Sequence, residues 1–119
     1  MAVHVIEDDA AVRDAIEELA RSDGHDVVGY MAAEAFLAGP SPPPTDVVVL
    51  DAGLPGMSGA ATAEALRARG PAPPILMVSG LRGAAYDRAK RKMDPNADMR
   101  KPLDASAFLD LLGRLAGRR

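Results

Sequence analysis

Glu7 and Asp8, Asp51, Ser79 and Lys101 are the side chains whose types and places could do chemistry together. Glu7-Asp8 follows the apolar run 3–6. Asp51 follows Asp46-Val47-Val48-Val49-Leu50 and opens the turn-rich segment Asp51-Ala52-Gly53-Leu54-Pro55-Gly56-Met57-Ser58-Gly59. Ser79 follows the run 75–78, and Lys101-Pro102 follows the short segment 97–100. An acid pair, a third acid, a hydroxyl and a lysine, each at a strand end, are what a magnesium-assisted phosphoryl acceptor requires. Magnesium prefers oxygen ligands in octahedral geometry, usually one or two carboxylates with phosphate and water. Glu7, Asp8 and Asp51 could supply the carboxylates. Left alone, two such charges about 4 Å apart repel by roughly 4 kcal/mol at an effective dielectric of about 20. A divalent ion and Lys101 would offset that repulsion. Catalysis of phosphoryl transfer is mainly positioning and electrostatic stabilisation. Asp51 would be the nucleophile, forming an acyl phosphate, with Ser79 and Lys101 on the phosphoryl oxygens.

Each element has an ordinary alternative when taken singly. Glu7-Asp8-Asp9 reads as an acidic helix start beside the positive end of a helix dipole, with Asp9 as its N-cap. Ser79-Gly80 reads as a turn, and Lys101 as a solvated charge. The case for a site rests on their joint placement.

That placement needs elements to deliver it. Short apolar runs at 3–6, 27–30, 47–50, 75–78 and 97–100 read as strands. Between them 9–22, 32–38, 59–69, 84–93 and 104–116 read as helices. In the first, Val12, Ile16, Leu19 and Ala20 fall on one helical face, and Gly24 stands where a helix stop is expected. In the last, Phe108, Leu111, Leu112 and Leu115 form the apolar face. Strand–helix alternation implies an α/β fold with a parallel sheet covered on both faces. The unbroken run Val47–Leu50 agrees, because a strand buried on both sides need not alternate with polar residues. Crossover connections bring every strand-to-helix turn to one sheet edge. Glu7, Asp8, Asp51, Ser79 and Lys101 all fall in such turns and can converge there.

Composition sets limits. The 119 residues suit one domain, 1–119, with a real core. The proline-rich segment 39–44 is read as a stiff loop, since a boundary there would leave neither half with a core. A net charge of -3 gives no basic footprint for direct nucleic-acid binding. The absence of cysteine removes thiol nucleophiles and thiolate metal sites. No apolar stretch approaches the roughly 18 residues of a membrane span, and the N-terminus has no signal pattern. A soluble, cytoplasmic protein with no membrane partner is expected. Tyr30, Phe36, Tyr86 and Phe108 are the only aromatics, so the core must come from Val, Ile, Leu, Ala and Met. His4 and His25 read as packing and turn residues. The cations Arg82, Arg88, Lys90, Arg91 and Lys92 read as a solvated helix face, or else as a basic docking surface.

Val5-Ile6-Glu7-Asp8-Asp9, the segment 51–59, Val78-Ser79-Gly80 and Lys101-Pro102, in this order and spacing, resemble the receiver domains of two-component response regulators. The resemblance covers the whole chain. It implies a flavodoxin-like (βα)5 fold with strand order 2-1-3-4-5. It also implies that Asp51 accepts a phosphoryl group from a sensor histidine kinase or a phosphotransfer protein. Glu7, Asp8, Asp51 and the Gly53 backbone carbonyl would hold Mg2+. Phosphorylation would draw Ser79 toward the phosphate and shift the surface made by the fourth helix, fifth strand and fifth helix. The Lys101-Pro102 peptide is expected to be cis.

Two departures stand out. Receivers commonly carry Tyr or Phe three positions before the lysine; Asp98 holds that place here, and Tyr86 is a candidate substitute. The sequence also stops at Arg119, just beyond the last helix, which favours a stand-alone receiver that acts through a downstream partner. Such a protein is no enzyme beyond its own phosphorylation and dephosphorylation. The alternatives are a degenerate receiver that binds partners regardless of phosphate, and a small aspartyl-phosphate phosphatase. The last would place a second acid two residues after the nucleophile, where Gly53 stands.

Overall fold

Apolar runs become strands and amphipathic runs become helices in strict alternation along residues 1–117, which the computed structural model describes. The order is β1 (Ala2–Ile6), α1 (Ala10–Ser22), β2 (Asp26–Tyr30), α2 (Ala33–Leu37), β3 (Val47–Asp51), α3 (Gly59–Arg67), β4 (Ile75–Ser79), α4 (Gly83–Met93), β5 (Ala97–Arg100) and α5 (Ala105–Ala116). All strand pairs are parallel, and the five strands lie in the order β2-β1-β3-β4-β5. This is the order that the family resemblance implies.

The period of two along a strand splits the core into two layers. Val47 and Val49 of β3 face one side, where they join Val3, Val5, Ile16, Phe108 and Leu112 beneath α1 and α5. Val48 and Leu50 face the other, with Ile6, Phe36, Leu66, Met77 and Met93 beneath α2, α3 and α4. Every residue of β3 and β4 is buried. The apolar runs therefore lack polar alternation because neither face meets water.

Helix ends follow local chemistry. Asp9 caps α1, its Oδ1 accepting from the backbone N–H of Ala11 at 3.0 Å and of Val12 at 3.2 Å. Ser58 caps α3 and Asp104 caps α5 in the same way. After α1, Gly24 takes φ +86°, a left-handed conformation that suits glycine at a helix stop. The α3 helix ends at Arg67, two residues short of the expected 69, because the Arg69 N–H turns back to Leu66 O at 3.2 Å. The 39–44 segment connects α2 to β3. His4 packs against Tyr30 and Phe36 and pairs with Asp46 at 2.9 Å, while His25 pairs with Asp23 at 3.2 Å in the α1–β2 turn.

One placement differs from expectation and matters for the site. Asp51 and Ser79 are the last residues of β3 and β4, not the first residues of turns. The ladder carries on beside them, with Asp51 opposite Val78 and Ser79 opposite Arg100. A strand-end backbone fixed by ladder hydrogen bonds holds these two side chains more firmly than a free turn would.

Candidate functional site

The C-terminal edge of the sheet gathers the expected side chains. Glu7 follows β1 directly, Asp51 ends β3, Ser79 ends β4 and Lys101 follows β5. Glu7, Asp51 and Ser79 are buried, Lys101 is partly so, and Asp8 is exposed. Carboxylate oxygens of Glu7, Asp8 and Asp51 lie within 4.8 Å of one another. Lys101 Nζ stands 2.5 Å from Glu7 Oε1 and 3.3 Å from Asp51 Oδ2, joining both acids. The Lys101-Pro102 peptide is cis.

Backbone groups fix the acids. The N–H of Gly53 donates to Asp51 Oδ1 at 2.9 Å, and that of Asp9 donates to Glu7 Oε2 at 3.2 Å. Gly53 thus meets Asp51 through its N–H. The Ser79 hydroxyl oxygen accepts from the Leu81 N–H at 3.0 Å. A close approach supports the arrangement: α3 begins against the end of β3. A Cβ on Gly59 would fall 2.8 Å from Asp51 O and 2.9 Å from Ala52 Cα.

The electrostatics are those of a crowded anionic pocket. Burial, then the neighbouring Asp51, push the Glu7 carboxyl up to about 7, against the opposing pull of Lys101 and the Asp9 N–H. Burial works against the charge on Lys101, but Glu7 and Asp51 outweigh it and hold the amine above the usual lysine range. Glu7 Oε1 is buried, and the partner it meets is the Lys101 ammonium. A buried oxygen with acceptor capacity to spare, inside a cluster of carboxylates, fits a hard divalent cation.

The geometry is matched by kinship. The family described as response regulator receiver domain matches residues 3–112. The chain belongs to that family. This receiver is 34% identical to the response regulator protein FleR of Pseudomonas aeruginosa over 116 residues, covering 96% of the chain and 24% of FleR. It is 31% identical to the transcriptional regulatory protein FixJ of Azorhizobium caulinodans over 116 residues, covering 98% of the chain and 55% of FixJ. The receiver therefore spans only part of the length of either relative. Among solved structures, a response regulator receiver protein from Burkholderia phymatum superposes with a TM-score of 0.81 at 30% identity, over 99% of this chain and 96% of that one.

Asp98, the residue in the usual aromatic place of a receiver, is tied to α4. Its carboxylate accepts from the Tyr86 hydroxyl at 2.6 Å and pairs with Lys90 at 3.1 Å. Tyr86 is buried, and the Arg100 guanidinium carbon lies 4.2 Å from its ring centroid. Burial, then the Asp98 carboxylate, hold the phenol well above its ordinary range. Burial opposes the charge on Asp98, yet Tyr86, Lys90 and Arg100 together hold that carboxyl below its ordinary value. Lys90 of α4 is thus engaged although exposed; Arg88, Arg91 and Lys92 on the same helix and Arg82 at its N-cap are exposed too.

Sequence reasoning missed Arg13, whose Nη1 donates to the carbonyl of Glu7 at 2.8 Å. Nothing in helical periodicity marks that contact, because it reaches back from α1 across the loop to the end of β1.

Proposed function

We propose that this receiver accepts a phosphoryl group on Asp51 from the phosphohistidine of a sensor histidine kinase or a phosphotransfer protein. An Asp51 carboxylate oxygen attacks phosphorus, the P–O bond forms, and the P–N bond breaks with its electron pair leaving on the imidazole. Bound Mg2+, held by Glu7, Asp8, Asp51 and the Gly53 carbonyl, would neutralise charge on the phosphoryl oxygens. Lys101 offers its ammonium to the same oxygens, and Ser79 offers a hydroxyl once its hold on the Leu81 N–H is released. The reading is carried by one observation: a single buried-edge ammonium joins two carboxylates, one of which ends the central strand.

Output is a phosphorylation-dependent change in the binding of a downstream protein, through the face that carries α4 and β5. Tyr86 and Asp98 join those two elements. Catalysis is confined to the receiver's own phosphorylation and dephosphorylation. Phosphomonoester turnover lacks a general acid, because Gly53 stands two residues after Asp51. A cytoplasmic location goes with a donor of this class. No described helix is long and apolar enough to cross a membrane.

Incubation with magnesium and a small phosphodonor tests the reading. The expected product is an acid-stable, base-labile adduct, absent in Asp51→Asn. Full labelling of that variant would move the acceptor elsewhere.

A further inference from the structure

Asp8 is the least constrained carboxylate of the cluster. It is exposed, and among the described residues its side chain has no hydrogen bond or ion pair. The region its carboxylate can reach is therefore limited by its backbone alone, and that backbone is pinned on both sides. The carbonyl before it, Glu7 O, accepts from Arg13 Nη1 at 2.8 Å. The N–H after it, Asp9 N, donates to Glu7 Oε2 at 3.2 Å. The Glu7 N–H is in turn fixed by Tyr30 O of β2 at 3.0 Å.

Arg13 is itself held. Its Nε lies 3.9 Å from Glu17 Oε2, one turn further along α1, and the other Glu17 oxygen meets Arg21 at 3.5 Å. The room for Glu17 comes from the neighbouring strand. A Cβ on Gly29 would fall 1.8 Å from Glu17 Oε2 and 3.4 Å from Arg13 Cδ. Bare backbone at Gly29, a carboxylate at Glu17 and the guanidinium of Arg13 thus form a chain of contacts that ends on the peptide joining Glu7 to Asp8.

We propose that Arg13 is a positioning residue for the acid cluster, fixing the Glu7–Asp8 peptide and so aiming the Asp8 carboxylate at the divalent ion. The inference rests on the magnesium reading above. It predicts a sign that simple charge effects do not share. A guanidinium close to a cation site repels the cation, so its loss through charge alone would tighten magnesium binding. Its loss as a brace would loosen binding, because outer-sphere partners of metal ligands typically contribute about 10–100-fold in affinity.

Calorimetric titration of the full chain with magnesium alone separates the two. Arg13→Ala is expected to bind magnesium about ten- to a hundredfold more weakly than the unmodified chain. Arg13→Lys, which keeps a cationic donor at this position, is expected to recover part of the loss. Equal or tighter binding by a folded Arg13→Ala overturns the proposal. Should that variant fail to fold, Gly29→Ala decides, since it displaces Glu17 from Arg13 and removes no charge. Weaker binding there supports the brace, and unchanged binding overturns it. An unmodified chain that takes up no magnesium would remove the reading beneath, whereas normal uptake with an unaffected Arg13→Ala removes only the role of Arg13.

Discussion

The Tyr86 hydroxyl on α4 donates a 2.6 Å hydrogen bond to the Asp98 carboxylate on β5, joining a helix that is mostly exposed to the edge of the sheet. The bond has a charged acceptor, and its donor is buried, two conditions that raise its contribution. Tyr86→Phe should therefore lower unfolding stability by about 1.5–3 kcal/mol. Asp98→Asn, which keeps an acceptor oxygen, should lower it less. Urea midpoints for both single variants and the double variant give the coupling directly. Additive losses would mean that the two groups stabilise the fold separately.

The same pair predicts behaviour in alkali. The phenol of Tyr86 is raised in the fold from its ordinary 10.0, so the folded state favours the protonated form. Its contribution is fully present below that value and is lost as pH rises beyond it. Burial also raises Tyr30, though less strongly. Near-ultraviolet phenolate absorbance in the folded protein should then appear only above the range in which urea-unfolded chains titrate. In Tyr30→Phe the remaining phenol should ionise last of all, and Asp98→Asn should bring it down. Titration of both tyrosines at the unfolded value would place Tyr86 in solvent.

Much of this architecture was legible in residue order. Alternating apolar runs and helical faces locate every strand and helix, because each strand must be covered and each helix has one face to bury. The site was legible for the same reason: a parallel sheet sends all strand-to-helix connections to one edge. What sequence did not disclose depends on three-dimensional aim. The ladder extends one residue to take in Asp51 and Ser79, an extension set by pairing with Val78 and Arg100 rather than by side-chain type. The Tyr86–Asp98 bond depends on how α4 is rotated over β5, for which one tyrosine in a polar helix gives only a hint. Arg13 reaches a carbonyl, and a carbonyl leaves no trace in the sequence.

Lys101 separates stability from function. Its ammonium joins Glu7 and Asp51, so Lys101→Ala leaves the two acids facing each other without a cation, both of them charged only well above the raised Glu7 value of about 7. Loss of one partner from a buried pair costs about 3–5 kcal/mol, and the partial exposure of Lys101 should reduce that to about 2 kcal/mol in magnesium-free buffer. Magnesium should restore more stability to this variant than to the unmodified chain, since the competing ammonium is gone. Phosphoryl transfer to Asp51 should nonetheless fall. Urea titrations with and without magnesium, run beside a labelling assay, read all three effects. A variant that is as stable as its parent without the metal would show that Lys101 does not offset the repulsion between the acids.

Gly59 makes the last test, because it touches the site only through the backbone. The first residue of α3 lies so near the end of β3 that a Cβ there would meet Asp51 O at 2.8 Å, Ala52 Cα at 2.9 Å and Met93 Cε at 2.7 Å. The methionine methyl can swing aside, but the two backbone atoms cannot, so the helix start must shift away from Asp51. Overpacking of this kind typically costs about 1–3 kcal/mol. The shift should also loosen the Gly53 N–H from Asp51 Oδ1, moving the carboxylate from the line of attack. Gly59→Ala is thus expected to slow labelling of Asp51 at saturating magnesium and phosphodonor by more than a matched loss of stability would explain. Gly113→Ala, on α5 with open space around its Cβ, serves as the control and should leave labelling unchanged. Equal rates for both variants would show that the approach of α3 to β3 does not set the position of Asp51.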